Sequence, residues 1–225
     1  MTPHAILFGS IGTLAETSEL QRSAFNEAFR QFDLDWHWTA DYYRDQLAVS
    51  GGQNRIAVHA AARGMKIDAQ AIHALKTDIF NQQLLQGGLV PRPGVVKVIQ
   101  YAQLHGIKLA FVTTTSCDNV DAVLTSLAPY IDAEMFDYIG TSEHVGRSKP
   151  APDAYHLALA KLGLSASDCM AIEDSQPSLA AALAAGIPTI AFPGANTIDQ
   201  DYAGAQMIAS VLVPQSLVET QQAAV

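Results

Sequence analysis

Polar side chains of three kinds follow or precede apolar runs at separate points of the chain. Thr113 and Thr114 follow one apolar run, Glu173 and Asp174 follow another, and Lys149 precedes a helical stretch. Hydroxyl groups, a lysine and adjacent carboxylates are the groups that hold a phosphate and a magnesium ion in proteins. Each has an ordinary interpretation, as a helix cap, an acidic first turn or a solvated surface charge. A phosphate and Mg²⁺ site is therefore a hypothesis that requires the fold to bring them together.

Alternation of short apolar runs with helical patterns indicates the elements that would position these groups. Strands are expected at 5–8, 108–112, 135–139, 169–172, 187–191 and 205–209. Helices are expected at about 94–105, 118–127, 152–162 and 175–185, with a further helix near the C-terminus. This order is typical of an α/β fold with a doubly wound, mostly parallel sheet. Ligands of such sheets bind at the carboxyl ends of the strands, where the three groups are expected.

The segment that follows the first strand contains helical patterns and no convincing strand. The helices are expected at about 18–31, 39–47, 55–62 and 69–85. Gly87-Gly88 and the run Pro91-Arg92-Pro93-Gly94 then punctuate the chain. We therefore predict an all-helical cap domain at 17–91, inserted into a core domain formed by 1–16 and 92–225.

Composition excludes several classes of function. The 225 residues include 22 acidic and 13 basic side chains, a net charge of −9, which argues against nucleic acid and anionic membranes as partners. No CxxC or HExxH spacing indicates a zinc site, and Cys117 and Cys169 are expected to be reduced. No apolar run is long enough to span a membrane. We expect a cytoplasmic protein; the sequence names no protein partner.

The loop after the first strand reads Gly9-Ser10-Ile11-Gly12. A glycine-containing turn presents backbone N–H groups that suit an anion. The candidate phosphate-binding residues are Ser10, Gly12, Thr113, Thr114 and Lys149. The candidate metal ligands are Glu173 and Asp174.

Four motifs, in order along the chain, resemble those of the haloacid-dehalogenase-like (HAD) phosphatases. They are Ala5–Phe8 with Gly12–Thr17, Val112–Ser116 with Asn119, Lys149-Pro150 with Pro152, Asp153 and Tyr155, and Ile172–Ser175 with Ala180–Gly186. The likeness is to the branch with a helical cap after the first strand, which includes β-phosphoglucomutase and the sugar-bisphosphate phosphatases of Rubisco operons. It covers nearly the whole chain and implies a HAD-like, Rossmannoid core and Mg²⁺-dependent phosphatase chemistry.

The first motif departs from the family pattern at two positions. The family has Asp-x-Asp-Gly-Thr, in which the first Asp attacks phosphorus and ligates magnesium and the second is the general acid and base. Gly9 and Ile11 occupy these positions here. Glycine has no nucleophile and isoleucine transfers no proton, so the aspartyl-phosphate mechanism cannot operate. The resemblance further implies that Mg²⁺ binding is possible but weakened, since one hard oxygen ligand is lost.

The leading hypothesis is therefore a pseudo-phosphatase that binds a phosphorylated small molecule, such as a sugar phosphate, or a partner without normal turnover. One alternative is an active phosphosugar hydrolase that uses Ser10 or a water activated by metal at Glu173 and Asp174. Ser10 lacks the G-x-S-x-G context of a nucleophile elbow, because Phe8 takes the first glycine position. A third interpretation is a structural subunit with an empty pocket.

Specificity is expected to come from the cap. The resemblance places the loop near Ser50–Arg55 over the site, and Arg55 is a candidate for reading a second phosphate. The candidate cap specificity residues are Gly52, Gln53, Asn54 and Arg55. The cap aromatic residues are expected mainly to form its core. These are Trp36, Trp38, Tyr42 and Tyr43.

Overall fold

The structure, a computed structural model, describes residues 2–47 and 51–219. Its sheet consists of β1 Ala5–Phe8, β2 Lys108–Val112, β3 Tyr138–Gly140, β4 Cys169–Glu173, β5 Thr189–Ala191 and β6 Met207–Ile208. The strand order is β3-β2-β1-β4-β5-β6 and every pairing is parallel. The predicted parallel α/β sheet is confirmed, and β1, β2 and β4 are its central strands.

Helices flank the sheet and fill the segment between β1 and β2. They are α1 Ile11–Leu14, α2 Ser18–Gln31, α3 Ala40–Gln46, α4 Gly52–Ala61, α5 Ala69–Gly87, α6 Val95–Leu104, α7 Cys117–Leu127, α8 Asp153–Leu162, α9 Gln176–Ala184 and α10 Ser216–Glu219. No helix within the described residues combines the length and the apolar content needed to cross a membrane.

Alternation along β1 gives the sheet its two buried faces. Ile6 and Phe8 pack in a cluster with residues of α6 and α7, whereas Ala5 and Leu7 pack with residues of α8 and α9. All four β1 side chains are fully buried. A strand buried on both faces is apolar at every position, and this is why its sequence is a continuous apolar run. The carboxyl end of β1 therefore lies at the centre of one sheet edge.

The cap helices α2–α5 have their own aromatic core. Phe25 and Phe29 pack on Trp38, at ring-centroid distances of 4.8 and 4.9 Å. Trp38 also donates through its indole N–H to Nδ1 of the buried His59. The prediction that the cap aromatics form core is confirmed for Trp36, Trp38 and Tyr43, whose side chains are buried in this cluster. The predicted boundaries at 16/17 and 91/92 stay a prediction.

The chain enters the cap helices after α1 and returns from them towards α6, and these two connecting segments lie next to each other. Ala15 and Pro91 form an isolated antiparallel bridge. The neighbouring Arg92 donates to three carbonyl oxygens, those of Gly12, Phe192 and Pro193, and its guanidinium lies over the Phe192 ring. Arg92 therefore joins the short helix α1 to the segment after β5.

Three predicted elements were wrong in extent. The loop at 9–12 continues into the short helix α1, because Thr13 returns hydrogen bonds from its N–H and its hydroxyl to the Ser10 carbonyl. The strand expected at 135–139 begins only at Tyr138, since Ala133–Met135 forms a 3₁₀ turn capped by the Asp132 side chain. The strand expected at 205–209 is reduced to Met207–Ile208, which pair only with β5.

Substituting Arg92 tests the junction. Arg92→Met leaves three carbonyls without a charged donor, so we expect the free energy of unfolding to fall by about 2–4 kcal/mol. Urea denaturation of the purified variant measures this change. Arg147→Met is the control, since Arg147 pairs with Asp153 at the surface, where solvent screens the pair and its contribution should be small. Equal losses in the two variants would contradict a structural role for the junction.

Candidate functional site

A cavity of about 530 Å³ lies between the carboxyl ends of the strands and the cap. Its lining includes most of the residues that the sequence singled out. These are Ser10, Ile11, Gly12, Gly52, Gln53, Arg55, Thr113, Thr114 and Asp174. Four other candidates, Gly9, Asn54, Lys149 and Glu173, do not line it, and Ser50 lies outside the described residues. The hydroxyl groups, the lysine and the carboxylates therefore lie at one edge of the sheet, but Lys149 and Glu173 do not face the cavity.

Lys149 lies behind the cavity wall, with 4% of its surface exposed. Its ammonium donates to the carbonyl oxygens of Gly9 and Val112 and to Oε1 of Glu173, the last at 2.6 Å. An ammonium has three N–H groups, and these three acceptors use all of them. In this arrangement Lys149 has no donor left for a phosphate, which differs from the direct contact that the sequence predicts.

Glu173 and Tyr155 fill the space beside Gly9. Glu173 is fully buried, and its Oε1 accepts from the Tyr155 hydroxyl as well as from Lys149. A Cβ atom at position 9 would overlap both Glu173 Oε1 and the Tyr155 hydroxyl. Burial raises the pKa of Glu173, opposed by the charge of Lys149, and burial also raises the pKa of Tyr155. Only glycine fits at position 9 without movement of this pair.

Asp174 is the carboxylate that faces the cavity from the core. Its Oδ1 accepts from the Ser10 hydroxyl at 2.7 Å, and burial raises its pKa. Its backbone carbonyl accepts from Thr197 and Tyr202, which fix the turn after β4. The Ser10 hydroxyl therefore has a carboxylate partner, whereas the neighbouring Ile11 is an apolar part of the wall.

The segment Thr113–Ser116 supplies hydroxyl groups to the same wall. The Thr115 hydroxyl accepts from the Asn119 amide at 2.6 Å, and Asn119 also lines the cavity. Oδ1 of Asn119 is buried and has no partner among the described residues. Buried acceptors are normally hydrogen-bonded, so this oxygen suits a donor from a ligand.

The described side chains at this edge offer few free ligands for magnesium. Across residues 2–47 and 51–219, no three side chains of His, Cys, Asp or Glu converge as metal ligands. Glu173 is already neutralised by Lys149, and Asp174 accepts from Ser10. Mg²⁺ prefers near-octahedral oxygen ligands, and the resemblance assigns a carboxylate ligand to position 9, where Gly9 has no side chain. The sequence led us to expect a weakened Mg²⁺ site, and the described residues fit this ion poorly.

The cap wall of the cavity is basic, a property that the sequence interpretation missed except at Arg55. Lys76, 5% exposed, lines the cavity and donates to the Gln21 amide oxygen, with its ammonium over the Phe25 and Phe80 rings. Burial, reinforced by the charge of Arg55, lowers the pKa of Lys76 to about 7. No ion pair among the described residues includes Lys76.

His73 and Arg55 complete this wall. Burial lowers the pKa of His73 to about 4, and both Lys76 and Arg55 contribute. Arg55 donates to the Gln46 carbonyl at 3.0 Å, and burial lowers its pKa. A signal for Lys76 was present in the sequence, because it is four residues from Ile72 and from Phe80 on the buried stripe of α5.

The family model described as haloacid dehalogenase-like hydrolase matches residues 6–192. The chain belongs to this haloacid dehalogenase-like family. Among its relatives, the chain is 40% identical to the protein CbbY of Cereibacter sphaeroides over 207 residues, or 91% of this chain and 90% of the relative. It is 39% identical to the plasmid-borne CbbY of Cupriavidus necator, over 91% of this chain and 84% of that protein.

Solved structures of this family agree with the fold. The crystal structure of CbbY from Rhodobacter sphaeroides in complex with phosphate superposes with a TM-score of 0.85 at 39% identity, covering 93% of this chain and 94% of that chain. β-Phosphoglucomutase from Clostridium difficile gives a TM-score of 0.79 at 12% identity, with 98% of each chain covered. The latter likeness supports the HAD fold alone. A haloacid dehalogenase-like hydrolase scaffold, with an α/β core and a helical insert after its first strand, is therefore established.

Gly9→Ala tests the packing around position 9. The added methyl group meets Glu173 and Tyr155 in a fully buried site, so we expect the free energy of unfolding to fall by about 1–3 kcal/mol. Thermal or urea unfolding measures the change. Adding Tyr155→Phe should recover part of the loss by removing one of the two overlapping atoms. Gly146→Ala, where a Cβ meets nothing within 4 Å, is the matched control. A tolerated Gly9→Ala would contradict the tight packing.

Lys76→Met tests how much the buried ammonium of Lys76 lowers the free energy of unfolding. Between pH 7 and 10.5 the unfolded chain binds a proton that the folded chain lacks, so wild-type stability rises with pH in this window. Methionine removes this dependence and should give the more stable protein at pH 7. We expect its advantage to be roughly 1–3 kcal/mol larger at pH 7 than at pH 9, measured by urea unfolding. An equal difference at both pH values would contradict a pKa near 7.

Proposed function

We propose that this HAD-family chain binds a phosphorylated small molecule, most simply a sugar phosphate, in the cavity between core and cap, without turnover through an aspartyl-phosphate. The observation that carries the proposal is the pair Gly9 and Ile11. The resemblance assigns a nucleophile and an acid–base carboxylate to these positions, and neither residue can perform those steps. Packing of Glu173 and Tyr155 against Gly9 also leaves no space for a nucleophile there.

Binding of such a ligand has independent support. The cavity volume falls in the range of small-molecule sites, and its walls combine hydroxyl groups with basic side chains. Lys76 and Arg55 face it from the cap and suit a phosphate. A variant of the related CbbY from Rhodobacter sphaeroides was crystallised with xylulose 1,5-bisphosphate, and the chain is 39% identical to it. A pentose phosphate is therefore the first ligand to test.

The second candidate function is hydrolysis of a phosphosugar by a different mechanism. Similarity to CbbY proteins over about nine-tenths of the chain favours this enzyme class. The groups available for it are the Ser10 hydroxyl and the Asp174 carboxylate, which are hydrogen-bonded to each other at 2.7 Å. Ser10 Oγ would bond to phosphorus as its proton passes to Asp174, and the P–O bond to the sugar would break, with the sugar oxygen leaving with that proton. A water molecule would then hydrolyse the phosphoserine and release inorganic phosphate. A cytoplasmic location and the absence of a nucleic-acid partner remain predictions in both cases.

A phosphate-release assay on a panel of pentose and hexose phosphates separates the two functions. We expect no release by the unmodified protein above that of Ser10→Ala and Asp174→Asn, since general acid–base help alone is worth about 10²–10⁴ in rate. Gly9→Asp/Ile11→Asp restores the family residues, and Tyr155→Phe should be added to make space at position 9. Release by the unmodified protein that disappears in Ser10→Ala would establish the hydrolase instead.

Binding is measured in parallel by calorimetry with the same compounds. Saturable binding with no release supports the proposal. If no compound in the panel binds the unmodified protein, the binding function is wrong and the empty-pocket interpretation replaces it.

A further inference from the structure

The side-chain amine of Lys76 lies in the cap wall of the cavity, between two aromatic rings. Its Nζ is 4.8 Å from the centroid of the Phe25 ring and 4.9 Å from that of the Phe80 ring. Lys76 lines the cavity and is 5% exposed. Within the described residues its one hydrogen bond goes to the Gln21 amide oxygen, and no carboxylate pairs with it. The contacts that hold this amine are therefore uncharged, and the amine borders a space that can contain a ligand.

Such surroundings favour the unprotonated form of an amine. Burial, reinforced by the charge of Arg55, lowers the pKa of Lys76 to about 7, so about half of the molecules carry a lone pair on Nζ at pH 7. Lys149, which is also buried, differs because its three N–H groups are directed to acceptors, one of which is Glu173. A desolvated lysine near another cation is a typical amine nucleophile in proteins.

We infer that Lys76 is a nucleophile that forms an imine with the carbonyl group of a ligand in this cavity, from the class of open-chain aldoses and ketoses. The unprotonated Nζ attacks the carbonyl carbon, the π electrons of C=O move to oxygen, and one proton passes from nitrogen to that oxygen. The nitrogen lone pair then forms C=N as the hydroxyl group leaves, and the remaining amine proton joins this group as water. The step releases one water molecule and changes no oxidation state, so it needs no co-reactant.

The choice of a sugar as the carbonyl compound rests on the proposed function, whereas the reactivity of the amine rests on its surroundings. A 2-ketopentose closes its furanose ring through O5. Phosphorylation of O5 prevents this ring, so the C2 carbonyl of a ketopentose 5-phosphate stays open to attack by an amine. Other side chains of the cavity lining, among them Ser10 and Thr114, carry hydroxyl groups that suit those of such a sugar.

Trapping of the imine by reduction tests the inference. The full chain is incubated at pH 7 with glycolaldehyde or xylulose 5-phosphate and sodium cyanoborohydride, and the adduct is located by mass spectrometry of its peptides. We expect Lys76 to be modified at least about tenfold faster than the free amine of Nα-acetyllysine amide in the same solution, because far more of it is unprotonated at pH 7. Lys66, an exposed lysine near the start of α5, is the reference within the chain. Modification of Lys66 and Lys76 at equal rates would overturn the inference.

Gln21→Glu tests the cause of the reactivity. The substitution places a carboxylate on the hydrogen-bond partner of Lys76, which favours the ammonium form, so the rate of adduct formation at pH 7 should fall about tenfold or more. Gln103→Glu adds the same charge at an exposed position of α6 and is the matched control, with a rate like that of the unmodified protein. An unchanged rate in Gln21→Glu would contradict the role assigned to the uncharged surroundings.

Calorimetry with xylulose 5-phosphate separates this inference from the proposed function. If xylulose 5-phosphate binds but neither compound modifies Lys76 faster than the reference amine, the nucleophile is wrong and the binding function stands. If glycolaldehyde modifies Lys76 rapidly and no sugar phosphate binds, the nucleophile is supported and the proposed function fails.

Discussion

The ammonium of Lys149 is the interaction on which the geometry of the sheet edge depends. It joins the carboxyl ends of three neighbouring strands, through the carbonyls of Val112 at the end of β2 and Gly9 after β1 and through Glu173 at the end of β4. A charge this buried is stable only when it is paired and its donors are used, and both conditions are met. In this arrangement the three N–H groups of Lys149 all have acceptors within the protein, and a direct contact of Lys149 with phosphate stays a prediction.

The same arrangement explains how glycine is accommodated at position 9. Tyr155 and Glu173 occupy the volume beside Gly9, so the site is closed by packing rather than left as a hole. A void would forfeit dispersion contacts on every side, whereas a hydrogen-bonded pair retains them. The core wall beside Gly9 is thus a well-packed surface, and the cap contributes the basic side chains that line the cavity, Arg55 and Lys76.

Much of the fold and part of the candidate site could be predicted from the sequence. The features that could not be predicted depend on contacts between residues that are distant in the sequence or on unusual burial. Apolar runs at β1 and β2 predicted their strands, and four motifs predicted the fold, because both signals are local. Tyr155 and Glu173 are 18 residues apart in the sequence, so no local pattern indicated that their side chains are hydrogen-bonded to each other beside Gly9. Lys76 was missed because lysine normally indicates a solvated face, although its spacing to Ile72 and Phe80 placed it on the buried one. The sequence also did not indicate the direction of the Lys149 side chain, because that direction depends on acceptors from three strands.

The bridge between Ala15 and Pro91 has a consequence for how the chain can change over time. Because Ala15 and Pro91 are paired, the chain leaves the sheet and returns to it at neighbouring points. The two ends of the helical segment between these residues therefore share one attachment. Arg92 secures this attachment from the sheet side, but Phe80 and Leu84 of α5 also pack in the core cluster that contains Ile6 and Phe8 of β1. Substitutions on the cavity face of the helical segment can therefore alter what the cavity accepts without altering the sheet, whereas substitutions at Phe80 or Leu84 would alter both.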